Sequence, residues 1–487
     1  MIKAFENHEI WFVTGAQLLY GGDAVVQVDG HSSAMVDGMN ASGLLPIKVV
    51  YKGTANSSKE VADIMTAAEA DKKCVGVITW MHTFSPAKMW IKGLQELRKP
   101  LLHLHTQANR ELPYDKIDMD FMNLNQAAHG DREYGFILSR MRIPHQVLAG
   151  YYENDDVVEG ILQFVDVAKA IAFSRSLKVA SFGNNMREVA VTDGDRVESQ
   201  IKYGWECNYY ALGDLVKIID NVSESEIDAK MKEYQSKYVL KTDNIKAVRE
   251  QAKYQIGLEK FLKDNSIGAF ADTFQDLYGL KQLPGLAVQD LNAKGIGFGP
   301  EGDYKIAALA AVLMKMSEGR KGATGFIEDY TYDLTQGKEL ELASHMLEVP
   351  VTFAATKPEI HVMPLGIGGK EDPARLIFDG VQGDGIQVTM VDMGDHYRII
   401  CADIELVKQP KPMPNLPVAR IMYRHKPNFK IGTEGWCIAG GAHHSVVSTA
   451  LTRDDIALFA MLTGTELICI GDETTKADLN ALMMKIY

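Results

Sequence analysis

The sequence predicts an α/β protein that opens on a doubly wound parallel sheet and ends in an antiparallel, barrel-like β domain. Three observations carry that expectation. The first third alternates short apolar runs with stretches of helical periodicity, the signature of strand–helix–strand units. The last third, from about residue 321, is β-rich, with Gly and Asp turns and no regular helical pattern between its strands. At 487 residues the chain exceeds what one hydrophobic core serves, so two to four domains are expected.

Taken in order, "EIWFVTGAQ" (9–17) reads as a strand running into a tight turn, and "LPIKVVYKG" (45–53), "CVGVITWMH" (74–82) and "PLLHLHTQ" (100–107) as further buried strands. "AVVQVDGHSSAMVDGMNAS" and "SKEVADIMTAAEADKK" supply the helices between them. Ligands of such sheets bind beyond the C-terminal strand ends, which makes "TGAQLLYG" (14–21) and "WMHTFSPAK" (80–88) candidate site loops. A second unit starts at "LKVASFGNNMREVAVTDGD" (177–195), read as strand, turn, strand. The charged stretch 223–264 reads as solvated helix, with Ser223 and Ser225 as candidate caps. Further on, "LEVPVTFAA", "EIHVMPL", "ARLIFDG", "GIQVTMVDMGDHYRIICADIELV" and "ELICIGD" read as strands, and "KQPKPMPNLP" (408–417) as an extended surface connector.

Bulk properties exclude several classes. A net charge of −13 argues against a nucleic-acid surface, which needs concentrated Lys and Arg. The apolar run "AALAAVLM" (307–314) falls far short of the roughly 20 residues that span a bilayer. The N-terminus lacks the basic and apolar regions of a signal peptide. Five scattered cysteines with no CxxC pair fit reduced thiols in a cytoplasmic enzyme rather than a zinc ribbon or iron–sulfur cluster.

Residues 297–302, "GFGPEG", satisfy G-x-G-x-x-G and precede an amphipathic helix, but Pro300 removes a backbone N–H and Glu301 places an anion where a pyrophosphate would sit. Glu301 is better read as a divalent-metal ligand. Glu328 in "GFIEDYTYDL" follows 27 residues later and His345 in "ASHMLEVP" 17 after that. Two carboxylates with one or more imidazoles suit Mn²⁺, Mg²⁺ or Co²⁺ better than structural zinc. "AGGAHHSVV" (439–447) offers two more imidazoles, and strand alternation would let only one of His443 and His444 face a given site.

These segments, together with "DMDFMNLNQAAHGDREYGFI", "FGNNMREVAVTDGD", "TFQDLYGLKQLPGLAVQ" and "LGIGGKEDPARLIF", resemble the L-arabinose isomerase family from residue 9 to about 470. The resemblance implies two doubly wound (Rossmann-like) domains, 1–176 and 177–322, followed by a C-terminal β-barrel-like domain, 323–487. It implies interconversion of L-arabinose and L-ribulose, with slower action on D-galactose. One Mn²⁺ per subunit, replaceable by Co²⁺ or Mg²⁺, falls to Glu301, Glu328, His345 and His444, the two glutamates also serving as acid/base. Substrate contacts fall on Gln17, Leu19, Tyr20, Phe84, Met186 and Phe274, the last reaching a neighbouring subunit's site, with His443 turned toward substrate. His129 becomes a catalytic histidine with Gln126 and Arg132 as orienting neighbours. A homohexamer with active sites at subunit interfaces is implied, its partners being a small aldose and copies of itself, with neither nucleic acid nor membrane. A nicotinamide dehydrogenase, a metal-dependent hydrolase or lyase, and a periplasmic-type sugar-binding protein are the competing classes.

Overall fold

A computed structural model describes residues 7–486. The chain forms two compact units: one runs to Ala172, and the other carries the rest of the chain apart from Met461–Gly464.

In the first unit, strands β1 (Glu9–Gly15), β2 (Lys48–Ala55), β3 (Cys74–Met81), β4 (Leu101–His105) and β5 (Gln146–Ala149) form a parallel sheet in the order β2-β1-β3-β4-β5. Alternation along β1 shows why the sheet is covered on both faces. Trp11 and Val13 join Met65, Leu94 and Tyr134 in one core; Ile10 and Phe12 join Met35, Ile161 and Phe164 in the other. The four sequence-read strands are present. The fifth, "QVLA", is short and half exposed, and so lacks the apolar run that marks its neighbours.

The second unit begins with β6 (Lys178–Phe182), β7 (Glu206–Tyr210), a two-residue β8 (Val239–Leu240), β9 (Ala269–Asp272) and β10 (Gly297–Gly299). Four of these make a parallel sheet ordered β10-β9-β6-β7. The second strand expected at "REVAV" is not there: residues 183–195 form a loop after β6, since Glu188 is left-handed and Arg187 leaves to pair with Asp276. Helix Glu224–Lys237 opens on Ser223, whose hydroxyl accepts from the Glu226 N–H in a reciprocal capping box; Ser225 lies inside the helix. Most of its charges are solvated as expected, but Lys230 is buried between Glu233 and Glu259, and Ile227, Met231 and Tyr234 pack against Val248, Ala252 and Ile256 of helix Ile245–Asp264.

The rest supplies β11 (Thr324–Asp333), β12 (Leu340–Ser344), β13 (Glu359–Val362), β14 (Ala374–Ile377), β15 (Gly383–Asp392), β16 (Tyr397–Val407), β17 (Ile421–His425), β18 (His444–Ser448) and β19 (Glu466–Ile470). Six of them pair antiparallel in the order β15-β18-β11-β12-β17-β16, and β16 pairs back to β15, so the barrel closes; β19 adds to β16 in parallel outside that ring. The barrel-like domain is thus present, with changes in detail. "LEVPVTFAA" contains no strand, because Pro350 turns the chain into a single tight helical turn at Val351–Phe353. "EIHV" and "ARLI" instead form a small separate sheet with β8. Three helices, Phe429–Ala439, Arg453–Thr463 and Lys476–Ile486, stand in this third of the chain, where no regular helical pattern was expected between the strands. Residues 408–417 form the expected connector, free of helix and strand. Among the described residues no helix is long and apolar enough to cross a membrane.

Candidate metal centre

Glu301 sits in the turn between β10 and helix Tyr304–Met316. Its backbone is left-handed, φ +58°, a conformation uncommon for a non-glycine residue and often found at functional sites. The glycines on either side make the turn feasible. A Cβ at Gly299 would stand 2.0 Å from the Asp303 carbonyl oxygen, and one at Gly302 would stand 2.4 Å from that of Asn184. Glycine at 299 therefore lets strand and helix approach so closely that the loop projects its side chain. Gly299→Ala is expected to lower stability by about 1–3 kcal/mol in urea unfolding, because the helix must move away. The loop is also tied down from outside, since the Met186 N–H donates to the Glu301 carbonyl at 2.8 Å.

The barrel register supplies the other side chains. On β11, Glu328 lies directly opposite Ser344 of β12 on one side and His444 of β18 on the other, and His345 follows as β12 ends. Glu328 Oε2 lies 3.7 Å from His345 Nε2. Glu301 Oε2 lies 3.8 Å from His444 Nε2 and 3.6 Å from His443 Nε2. Phe326, two residues before Glu328 on the same strand face, meets both His345 and His444 edge-on at centroid distances of 5.4 and 5.5 Å.

The adjacent histidines do not separate as strand alternation suggested. His443 precedes the first residue of β18, so the alternation rule does not govern it, and the two ring centroids are only 4.3 Å apart. Glu301, His443 and His444 can bring one ligand atom each within 4.8 Å of one another. Environment is what distinguishes the two: His444 is fully buried, whereas the His443 side chain is 36% exposed.

Two carboxylates that the sequence reading did not single out orient the imidazoles. His444 Nδ1 donates to Asp303 Oδ2 at 3.2 Å, which leaves Nε2, a buried atom with no hydrogen-bond partner, facing the cluster. His345 Nδ1 bonds Glu348 in the same way and turns its Nε2 to Glu328. Asp303 also caps its helix through the Ile306 N–H and pairs with Lys305 at 3.1 Å. The available signals were positional: Asp303 occupies an N-cap two residues after Glu301, and Glu348 stands three residues after His345.

The electrostatics follow from these contacts. Burial pulls His444 below the usual histidine range and favours the neutral, ligating form. Burial also opposes charge on His345, but Glu348 outweighs it and carries the group up to about 9. Burial would raise Glu301; the imidazoles of His443 and His444 more than offset this, so its carboxyl falls below the ordinary range. Beside the cluster, burial pushes Asp272 up to about 8, with the charge of Glu348 adding to the effect.

A cavity of 260 Å³ opens on this cluster, and Glu301, Glu328, His345, Met186 and Phe274 all line it. Phe274, expected at a neighbouring subunit's site, lines the cavity of its own chain. The remaining sequence-read positions belong to the first unit. There Gln126 Nε2 donates to the Tyr20 hydroxyl at 3.2 Å, Gln126 Oε1 lies 3.2 Å from His129 Nδ1, and Phe84 stacks on His129 at 4.3 Å. Gln126 holds His129; no described contact links His129 to Arg132. Gln17 Nε2 is buried without a partner, and Leu19 is 77% exposed.

Comparison with known proteins accords with this arrangement. Three family profiles cover the chain in succession: "L-arabinose isomerase N-terminal domain" at residues 4–176, the central domain at 178–319 and the C-terminal domain at 323–466. An L-arabinose isomerase of Anoxybacillus flavithermus is 50% identical over 476 residues, covering 96% of this chain and 95% of its own. One of Geobacillus stearothermophilus is 50% identical over 474 residues with the same coverage. That of Oceanobacillus iheyensis is 50% identical over 471 residues, 96% of this chain and 99% of its own. The matched ranges thus run through both units, and the positions of the cluster lie within them. The chain belongs to the L-arabinose isomerase family.

Proposed function

We propose that the protein is a metal-dependent aldose–ketose isomerase that interconverts L-arabinose and L-ribulose and, more slowly, D-galactose and D-tagatose. One observation carries the metal: two imidazoles, each fixed by a carboxylate at Nδ1, turn their Nε2 atoms toward two glutamates, and that of His444 is buried without a partner. Glu301, Glu328, His345 and His444 fit a divalent ion of the Mn²⁺ class through their two carboxylates and two imidazoles. When bound, such an ion polarises the sugar carbonyl and stabilises negative charge on adjacent oxygens.

The chain's own groups do the rest. Oxygens of Glu301 and Glu328 lie within hydrogen-bonding reach of a sugar seated in the cavity and exchange protons with its O1 and O2. His443, half exposed beside Glu301, faces the substrate. Met186 and Phe274 offer apolar surface to the C–H face of the sugar. The reading extends to a cytoplasmic homohexamer with sites at subunit interfaces, in which Gln17, Leu19, Tyr20, Phe84 and His129 contribute substrate contacts or proton transfer. Exposed Leu18, Leu19 and Tyr114 on the first unit support burial in an assembly, which light scattering checks.

Incubation with L-arabinose and Mn²⁺, without NAD, tests the function directly. Ketose should form, vanish on chelation and return with Mn²⁺. Absence of ketose with Mn²⁺, Co²⁺ and Mg²⁺ alike overturns the reading, and NAD reduction would indicate a dehydrogenase instead. Mn²⁺ titration of His444→Ala should show weakened binding and His443→Ala near-normal binding. Equal losses would place His443 among the ligands.

A further inference from the structure

We infer that Asp272 binds a hydroxyl of the sugar beyond the two reacting carbons, and so sets which sugars the site accepts; the inference rests on the isomerase reading above. Three observations support it. First, Asp272 ends β9, and the preceding Ala271 pairs in register with Gly299, directly before the Glu301 turn. The two acids therefore leave the same end of one parallel sheet, the C-terminal end where such sheets bind ligands. Second, Asp272 is only 8% exposed, yet its side chain lines the same cavity as Glu301, Glu328, His345 and Phe274.

Third, its carboxyl accepts no hydrogen bond from any described residue, unlike the other buried aspartates. Asp303 takes His444, Lys305 and the Ile306 N–H. Asp131 takes His103, His105 and the Met81 N–H. Asp290 takes Tyr238, Gln255 and Lys237. A buried carboxyl without a donor is unfavourable for folding and is retained where a ligand completes it. A sugar hydroxyl is of suitable size and both donates and accepts, so it can complete this carboxyl in either protonation state. O1 and O2 belong to the glutamates and the metal, which leaves O3, O4 or O5 for Asp272.

Steady-state kinetics with Mn²⁺ on L-arabinose and its 3-, 4- and 5-deoxy analogues test this in wild type, Asp272→Asn and Asp272→Leu. The wild type should discriminate against one analogue by about 5- to 100-fold in kcat/KM, the range for leaving a buried polar group unpaired. Asp272→Leu, which can neither donate nor accept, should lose a comparable factor on L-arabinose, mainly through KM, while Mn²⁺ affinity stays unchanged and discrimination against that analogue falls toward unity; Asp272→Asn, which keeps an acceptor, should fall between leucine and wild type. A merely structural role would instead lower activity on all four sugars equally and leave the discrimination intact, which overturns the inference, as does an unchanged KM. If Asp272→Leu does not fold, Asp272→Asn decides, with a partial loss of that discrimination expected and an unchanged one overturning the inference. A wild type that makes no ketose removes the isomerase reading and this inference together, whereas normal wild-type turnover with unaltered variants removes this inference alone.

Discussion

Glu301→Ala is expected to abolish turnover, by at least about 10³-fold in kcat/KM, while the far-UV circular dichroism stays that of wild type; Glu328→Ala should do the same. Each loss removes a carboxylate that serves both as metal ligand and as proton acceptor, and metal polarisation of a carbonyl is worth several kcal/mol at about 1.4 kcal/mol per decade of rate. The fold should survive because neither side chain supports the core. Glu301 projects from a turn held by its own carbonyl through Met186, and Glu328 keeps its strand pairing to Ser344 and His444 whatever its side chain. Ketose formation with saturating Mn²⁺ is the measurement, and either variant retaining more than about a tenth of wild-type kcat/KM refutes the roles given to these acids.

Asp303→Ala should be the most destabilising change near the site, by about 3–5 kcal/mol in urea unfolding. Asp303 is buried and its carboxyl lies below the usual range: burial would raise it, but Lys305 and His444 more than offset that. Lys305 is itself fully buried, with the Asp193 carbonyl at 2.8 Å as its other partner, so truncation leaves an ammonium in the interior without its counter-charge. His444 loses the acceptor that fixes its tautomer, and Mn²⁺ affinity should fall about 10- to 100-fold. Asp303→Asn keeps the helix cap and should lose less stability than alanine. Calorimetric Mn²⁺ titration with parallel unfolding curves checks both effects; wild-type stability and affinity together would mean that Asp303 orients nothing.

The first sheet was legible because its strands are continuous apolar runs, as strands buried on both faces must be. "QVLA" escaped because an edge strand of four half-exposed residues carries little pattern. "LEVPVTFAA" misled for the opposite reason: its apolar content is real, but Pro350 diverts the backbone. Glu301, Glu328 and His345 stood out as residue types able to hold a metal, yet only the fold brings His444 beside Glu328, since barrel pairing joins these positions more than a hundred residues apart. Asp303 and Glu348 offered only their positions, an N-cap and a place three residues after His345, and Asp272 offered no signal at all. Their importance lies in which atom each one touches, or in Asp272's case fails to touch, and no spacing along a chain encodes that.

Closure of the barrel also limits how the gene can drift. Glu328 and His444 face each other because β11 and β18 pair without a break from Thr324–Ser448 to Glu328–His444, and the one irregularity of β11 against β12 falls after Glu328, between Asp329 and Thr331. An extra residue between Thr324 and Glu328 would swap the inward and outward faces there and carry Glu328 off His444. Insertions and deletions in this third of the chain should therefore be confined to connections such as 334–339, 393–396 and 408–420, while the strands between them change by substitution alone.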